Sequence, residues 1–422
     1  MTAEAAEAFG YVGGTLCCEN VPLDHIAQRV GTPTYVYSKR AILAAYRRYE
    51  TALAPRSAWV CYAVKANANL GVLNLLARAG SGFDIVSGGE LARALAAGAD
   101  PGRIVFSGVG KTEAEIAAAL QAGIACFNVE SAPELETIDR VARTAGRRAP
   151  ISLRINPDVD PQTHQYIATG LKLNKFGIPA DEAEQLYAFA ARLPGVEIAG
   201  IDCHIGSQIT RVEPYIEAAE RLFDLVDRLE ARGVALRHID LGGGLGIAYR
   251  DERAPSIEQL VGALLACADR RAHGTKTLIF EPGRSIVGPA GALLTRVQYV
   301  KTGVAKNFAI VDAGMNDLLR PALYQAWMDV RPVVARAEAA RVYDVVGPVC
   351  ESADWLAQDR SLAVVGGDLL AVLSAGAYGM SMASNYNSRG RPAEVIVDAD
   401  SCHVVRRRET AAELFANETV LP

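Results

Sequence analysis

An apolar run ends on a lysine in Tyr62-Ala63-Val64-Lys65-Ala66-Asn67. Partial desolvation there lowers an amine's pKa, so Lys65 can form a Schiff base with a carbonyl; otherwise it is an ion-paired or snorkelling lysine. Glycines in Leu241-Gly242-Gly243-Gly244-Leu245-Gly246 let backbone amides approach an anion, although many such runs are only tight turns. Glu281-Pro282-Gly283-Arg284 places a carboxylate near a guanidinium, and Cys203-His204-Ile205-Gly206-Ser207 offers an imidazole and a hydroxyl. Cys350-Glu351-Ser352-Ala353-Asp354 sets a thiol beside a carboxylate, a pair that can deliver a proton near a charged substrate. Arg320 and Tyr324, in Leu319-Arg320-Pro321-Ala322-Leu323-Tyr324, form an unusual polar cluster, and Tyr378, in Ala375-Gly376-Ala377-Tyr378-Gly379, can contact phosphate or substrate or else pack at a domain seam.

The elements that must position these groups alternate. Strand-like runs at 58–64, 83–86, 103–106, 125–129, 151–155, 198–204, 238–241 and 277–280 are separated by helix-like segments such as 88–97, 112–121, 132–143, 181–192 and 214–232. Eight such units predict an α/β fold with a parallel (β/α)8 TIM-type barrel. Runs at 291–300, 307–313, 341–346, 362–365, 369–374 and 394–397 have few helices between them, which predicts a mainly antiparallel C-terminal β domain. A strand-like segment at 34–37 precedes the barrel units and can pair with that later domain. The expected division is a barrel at 38–285 and a β-rich domain from 1–37 and 286–422. Catalytic groups of such barrels sit just after the strands. Lys65, Asp84, Asn128, Glu130, Arg154, Asn156, His204, Ser207, Gln208, the glycines from Gly242 and the Glu281–Arg284 stretch all fall at that rim.

The 422 residues are half hydrophobic, which excludes a disordered chain, and the net charge is −5 with acids and bases mixed. Without a basic stripe a nucleic-acid partner is not expected. Residues 1–10 lack a basic start before an apolar core, so they do not form a signal peptide. The weakly polar stretch 362–383 is broken by Gly366-Gly367-Asp368, which argues for buried strands rather than a membrane span. The eight cysteines include no Cys-x-x-Cys pair and read as reduced thiols in the cytoplasm, with no metal site.

Together, Lys65, the glycine turn after the seventh strand and Glu281 after the eighth suggest a phosphorylated aldehyde cofactor, pyridoxal 5'-phosphate. Glu281 is then the partner of the pyridine nitrogen, unless it is simply paired with Arg284. His204 can stack on the ring and Ser207 can reach a phosphate oxygen; a lone barrel histidine is otherwise structural.

These motifs, in this order, resemble the diaminopimelate decarboxylase family of pyridoxal-phosphate decarboxylases, built on an alanine-racemase-like barrel. The resemblance spans about 32 to about 387 and includes a loop at 164–177. It implies Lys65 as the Schiff-base lysine and His204 as the stacking residue. Asp84, Arg154, Ser207, Gly243, Gly244, Glu281, Pro282, Gly283, Arg284 and Tyr378 are then expected around the cofactor. Arg284, Arg320, Tyr324, Glu351 and Tyr378 are expected to bind substrate, and Cys350 to act as general acid. The resemblance also implies a homodimer in which Cys350 and Glu351 enter the partner's site. The implied reaction converts meso-2,6-diaminopimelate to L-lysine and CO2, the last step of lysine biosynthesis. Rivals are a same-fold decarboxylase of ornithine, arginine or carboxynorspermidine, and a non-catalytic pyridoxal-phosphate-binding homologue. The distal arginine and glutamate favour a substrate with a second amino-acid head, and the presence of both Lys65 and Cys350 argues against a dead homologue.

Overall fold

The computed structural model describes residues 8–54, 56–161, 163, 164, 167, 169, 170, 174–271 and 273–422. Of the segments discussed above, 1–7, 165, 166, 168 and 171–173 lie outside the described residues. Eight parallel strands run Ala58–Ala63, Gly82–Ile85, Ile104–Phe106, Cys126–Val129, Ala149–Asn156, Val196–Asp202, His238–Asp240 and Thr277–Phe280. Each pairs with the next, and the eighth pairs with the first, which closes the barrel. Strands enclosed on both faces are buried throughout rather than alternating, and are mostly apolar. Gly82–Ile85 and Cys126–Val129 accordingly have no exposed position.

The helices between strands start where the sequence can satisfy their first amides. Thr112 and Glu115 form a capping box on Glu113–Ala122, and Ser256 with Gln259 does the same for Ile257–Arg270. Ser87 and Ser131 cap Gly88–Ala96 and Ala132–Thr144.

The chain divides into two compact units. One holds Tyr46–Ile247 and Arg253–Ser285; the other takes in the chain up to Ala45, Ala248–Glu252 and Ile286–Pro422. In the second unit Thr34–Ser38 lies between Gly291–Lys301, antiparallel, and Ala393–Asp398, parallel. The sheet is otherwise mostly antiparallel, with one more parallel pair, Phe308–Val311 against Arg341–Val346.

The strand expected at 362–365 is not formed. Residues 363–365 are irregular because Asp368 Oδ2 accepts the Val365 amide at 2.9 Å and turns the chain there. The strand instead precedes this turn, at Trp355–Leu362. No helix among the described residues is long and apolar enough to cross a membrane.

Candidate active site

The first barrel strand ends in a short 3-10 turn, Val64–Ala66, whose flanking residues are buried. That turn leaves the Lys65 side chain one-third exposed, with Nζ 2.5 Å from Oδ2 of Asp84, a fully buried residue of the second strand. On the fifth strand the Arg154 guanidinium donates to Glu130 Oε1 at 3.0 Å and lies over the Phe176 ring at 5.1 Å. Glu130 also accepts the Gly108 and Gly177 amides, each at 3.0 Å, so one carboxylate ties the ends of three strands together.

His204 follows the sixth strand. Its Nδ1 accepts the Gly243 amide at 3.1 Å, which assigns the proton of the neutral ring to Nε2. Burial, then the positive charges of Arg154 and Lys65, hold its pKa well below the usual histidine range. The imidazole is therefore neutral and fixed in orientation. The Gly243 amide thus serves His204.

The turn after the seventh strand needs its glycines. A Cβ on Gly243 would lie 1.9 Å from the Glu281 carbonyl oxygen, and one on Gly244 would lie 2.1 Å from that of Gly206. Gly244 also has φ +102°, which disfavours any side chain. Beside this turn the Ala63 amide bonds to Pro282 O at 3.1 Å, and Arg284 donates to Ser207 Oγ at 3.2 Å.

Glu281 is buried, and its Oε1 has no hydrogen-bond partner. Carboxyl oxygens of Asp202, Asp240 and Glu281 come within 4.8 Å of one another. Two full charges at that range repel by about 3 kcal/mol at an effective dielectric near 20, so burial and mutual repulsion both favour protonation. Burial, then the charges of Asp240, Asp84 and Asp202, push Glu281 well above the carboxylate range. Burial is likewise the main cause that raises Asp240 to about 7. A buried acceptor with no partner, near an amine and a glycine cradle, suits a ligand that brings its own protonated nitrogen.

The remaining candidates lie in the β-rich unit. Arg320 is buried at the start of Arg320–Tyr324; it donates to Tyr249 Oη at 2.6 Å and stacks over that ring at 4.6 Å. Tyr324 is half-buried on the same short helix. Cys350 is exposed, whereas six of the other cysteines are buried and Cys402 is intermediate. Its amide bonds to Asn387 Oδ1 at 3.0 Å, and exposed Glu351 accepts from Tyr386 Oη at 2.5 Å. Tyr378 has φ +56°, a conformation that costs a bulky residue energy.

Asp202, Asp240, Tyr249, Tyr386 and Asn387 join the site only in the folded structure. The two aspartates end the sixth and seventh strands, so the rim rule that singled out Lys65 would have found them.

A closed barrel with a rim lysine, joined by chain to a β-rich unit, is an architecture of pyridoxal-dependent decarboxylases. Residues 39–288 match the family model described as pyridoxal-dependent decarboxylase, pyridoxal binding domain. The chain is 61% identical over 417 residues to diaminopimelate decarboxylase of Pseudomonas aeruginosa, across 99% of this chain and 100% of that one. It is 56% identical to the Vibrio cholerae diaminopimelate decarboxylase, across 97% and 98%. The crystal structure of diaminopimelate decarboxylase from M. jannaschii in co-complex with L-lysine is similar at TM-score 0.95 and 39% identity, across 99% of both chains. The chain belongs to the diaminopimelate decarboxylase family. Its activity is that of a pyridoxal-dependent amino-acid carboxy-lyase acting on diaminopimelate.

Proposed function

We propose that this chain acts in the cytoplasm as a homodimer on meso-2,6-diaminopimelate, releasing L-lysine and CO2 as the last step of lysine biosynthesis. Barrel residues 38–285 hold pyridoxal 5'-phosphate, and 1–37 with 286–422 supply substrate contacts. The observation that carries this reading is the rim set: Lys65 Nζ on Asp84, with the unpartnered Oε1 of Glu281. The residues fit the cofactor at each functional group. Lys65 is the amine for its aldehyde, Glu281 the acceptor for its ring nitrogen, and Ser207, Gly244 and Arg284 the donors for its phosphate.

When bound, the cofactor supplies an electron sink for the pair left on carbon as CO2 departs. Glu281 favours the protonated ring nitrogen on which that sink depends. Asp84 holds Lys65 Nζ at the barrel rim and can take its proton, so that the neutral amine would hold the cofactor through its aldehyde. His204, uncharged and tied to Gly243, offers a flat ring face without an opposing positive charge. Arg154, Pro282, Gly283 and Tyr378 shape the remaining walls.

Diaminopimelate carries a second amino-acid head. Arg284 and Arg320 can pair with its carboxylate and Glu351 with its ammonium, while Tyr324 and Tyr378 line the substrate. Cys350 places a proton on the carbon that lost CO2, its Sγ acting as general acid. The exposure of both Cys350 and Glu351 supports the shared-site dimer, because a residue that serves the partner subunit must reach the surface of its own.

Borohydride reduction of the yellow holoenzyme followed by peptide mapping tests the reading. A cofactor fixed on Lys65, and none fixed in Lys65→Ala, is the expected result. Covalent cofactor in Lys65→Ala would place the site elsewhere.

A further inference from the structure

Asp240, the last residue of the seventh barrel strand, has its two oxygens in different situations. Oδ1 accepts the Gly242 amide at 2.9 Å, while Oδ2 is buried without a hydrogen-bond partner. Glu281 Oε1 is in the same condition, and its backbone amide bonds to Gly242 O at 2.7 Å. Gly242 therefore links the Asp240 carboxyl to the Glu281 backbone. The side chains of Glu281 and Asn128 are within hydrogen-bonding reach of Asp240. Two bare carboxylate oxygens cannot bond to each other, but a proton on Asp240 Oδ2 can be donated to Glu281 and leaves Glu281 Oε1 a further lone pair for the ring nitrogen.

The positive charge of Lys65 lowers Glu281, but burial and the neighbouring acids outweigh it. Asp84 on the second strand and Asp202 on the sixth add negative charge. Lys65 is taken up by Asp84, and Arg154 by Glu130 with Asp202 4.0 Å away. Burial raises the nearby thiols Cys61, Cys126 and Cys203, so they stay neutral. Asp240 has no ion-pair partner among the described residues. Asp202 is raised as well, by burial and then by the charge of Asp240, with Arg154 4.0 Å away opposing both.

We propose that Asp240 is a positioning residue for the decarboxylation: it carries a proton on Oδ2 and shares it with Glu281, which orients Glu281 and limits the negative charge presented to the pyridine nitrogen. This rests on Glu281 serving that nitrogen. A donor from Asp240 stabilises the Glu281 carboxylate without placing a full second charge beside it. Ionisation of Asp240 would make Glu281 a stronger base and draw the ring proton toward it.

The test uses full-length holoenzyme of wild type, Asp240→Asn, Asp240→Ala and Glu281→Gln. Infrared spectra in heavy water should show a protonated carboxylic-acid carbonyl in wild type that is missing in Asp240→Asn. The cofactor absorbance of wild type should change between about pH 6 and 8 as that acid ionises, a step that Asp240→Asn lacks. The asparagine keeps a donor, so its cofactor dissociation constant should stay within about twofold, whereas Asp240→Ala should weaken binding roughly tenfold. Superimposable titrations of wild type and Asp240→Asn would overturn the proposal. So would a wild-type spectrum with no acid carbonyl, which decides the matter even if the variants do not fold. A divalent cation bound at one equivalent, whose removal by chelator shifts the spectrum, would also overturn it. An unchanged spectrum in Glu281→Gln would show instead that Glu281 does not serve the cofactor.

Discussion

In the barrel, Lys65, Asp84, Arg154 and Glu130 meet their partners within the fold, and His204 is locked by the Gly243 amide. In the β-rich unit, Cys350 and Glu351 sit on an exposed turn, held only by Asn387 and Tyr386 among the contacts described above. The first region is preorganised: its groups are oriented before any ligand arrives, and their electrostatics are set by burial. The second is built to be presented. Substitutions in the two regions should therefore fail differently, in cofactor chemistry and stability on one side and in substrate binding or turnover on the other.

The largest effect is expected in the barrel. Lys65→Ala should lower kcat/KM by roughly ten-thousandfold, since nucleophile and cofactor anchor are lost together; steady-state CO2 release measures it. Cys350→Ser comes next, with kcat down by about a hundredfold or more for loss of a general acid. Its Tm should move by less than about 2 °C because the side chain is exposed. A drop of many degrees in Tm would erase the distinction between the regions.

A smaller, pH-dependent effect separates the acids. Asp240 titrates at about 7 in the folded chain, against 3.8 ordinarily, so the folded state keeps a proton that the unfolded state releases. Its contribution is fully present below about pH 4 and is lost as pH rises through 7. Asp240→Asn removes that loss. In urea unfolding the variant should gain on wild type as pH rises from 4 to 8. A pH-independent difference would contradict the assigned proton. Smallest is Tyr249→Phe, which removes the 2.6 Å bond to Arg320. KM for diaminopimelate should rise about tenfold with kcat nearly unchanged, if Arg320 acts in ground-state and transition-state binding alike.

The barrel was legible because strands buried on both faces leave continuous apolar runs, and a polar residue ending such a run stands out. Lys65, Asp84 and Glu281 were found that way. Asp202 and Asp240 obey the same rule, yet their significance lies in clustering with Glu281. That clustering exists only because closure sets the sixth, seventh and eighth strands side by side. Nothing local in the sequence records it. Likewise Tyr249 meets Arg320 across 71 positions of chain. The strands Trp355–Leu362 and Ser401–Arg406 were missed because they lie at the two edges of their sheet, where half-exposed positions blur the alternation. The expected run at 362–365 looked like a strand by hydrophobicity alone, and the Asp368 side chain overrode it.

The most direct measurement is of what the purified holoenzyme decarboxylates. Offered meso-diaminopimelate, L-ornithine, L-arginine, carboxynorspermidine and L-lysine in turn, it should release CO2 from meso-diaminopimelate and form L-lysine, leaving L-ornithine and L-lysine untouched. Release of CO2 from ornithine alone would contradict the assignment.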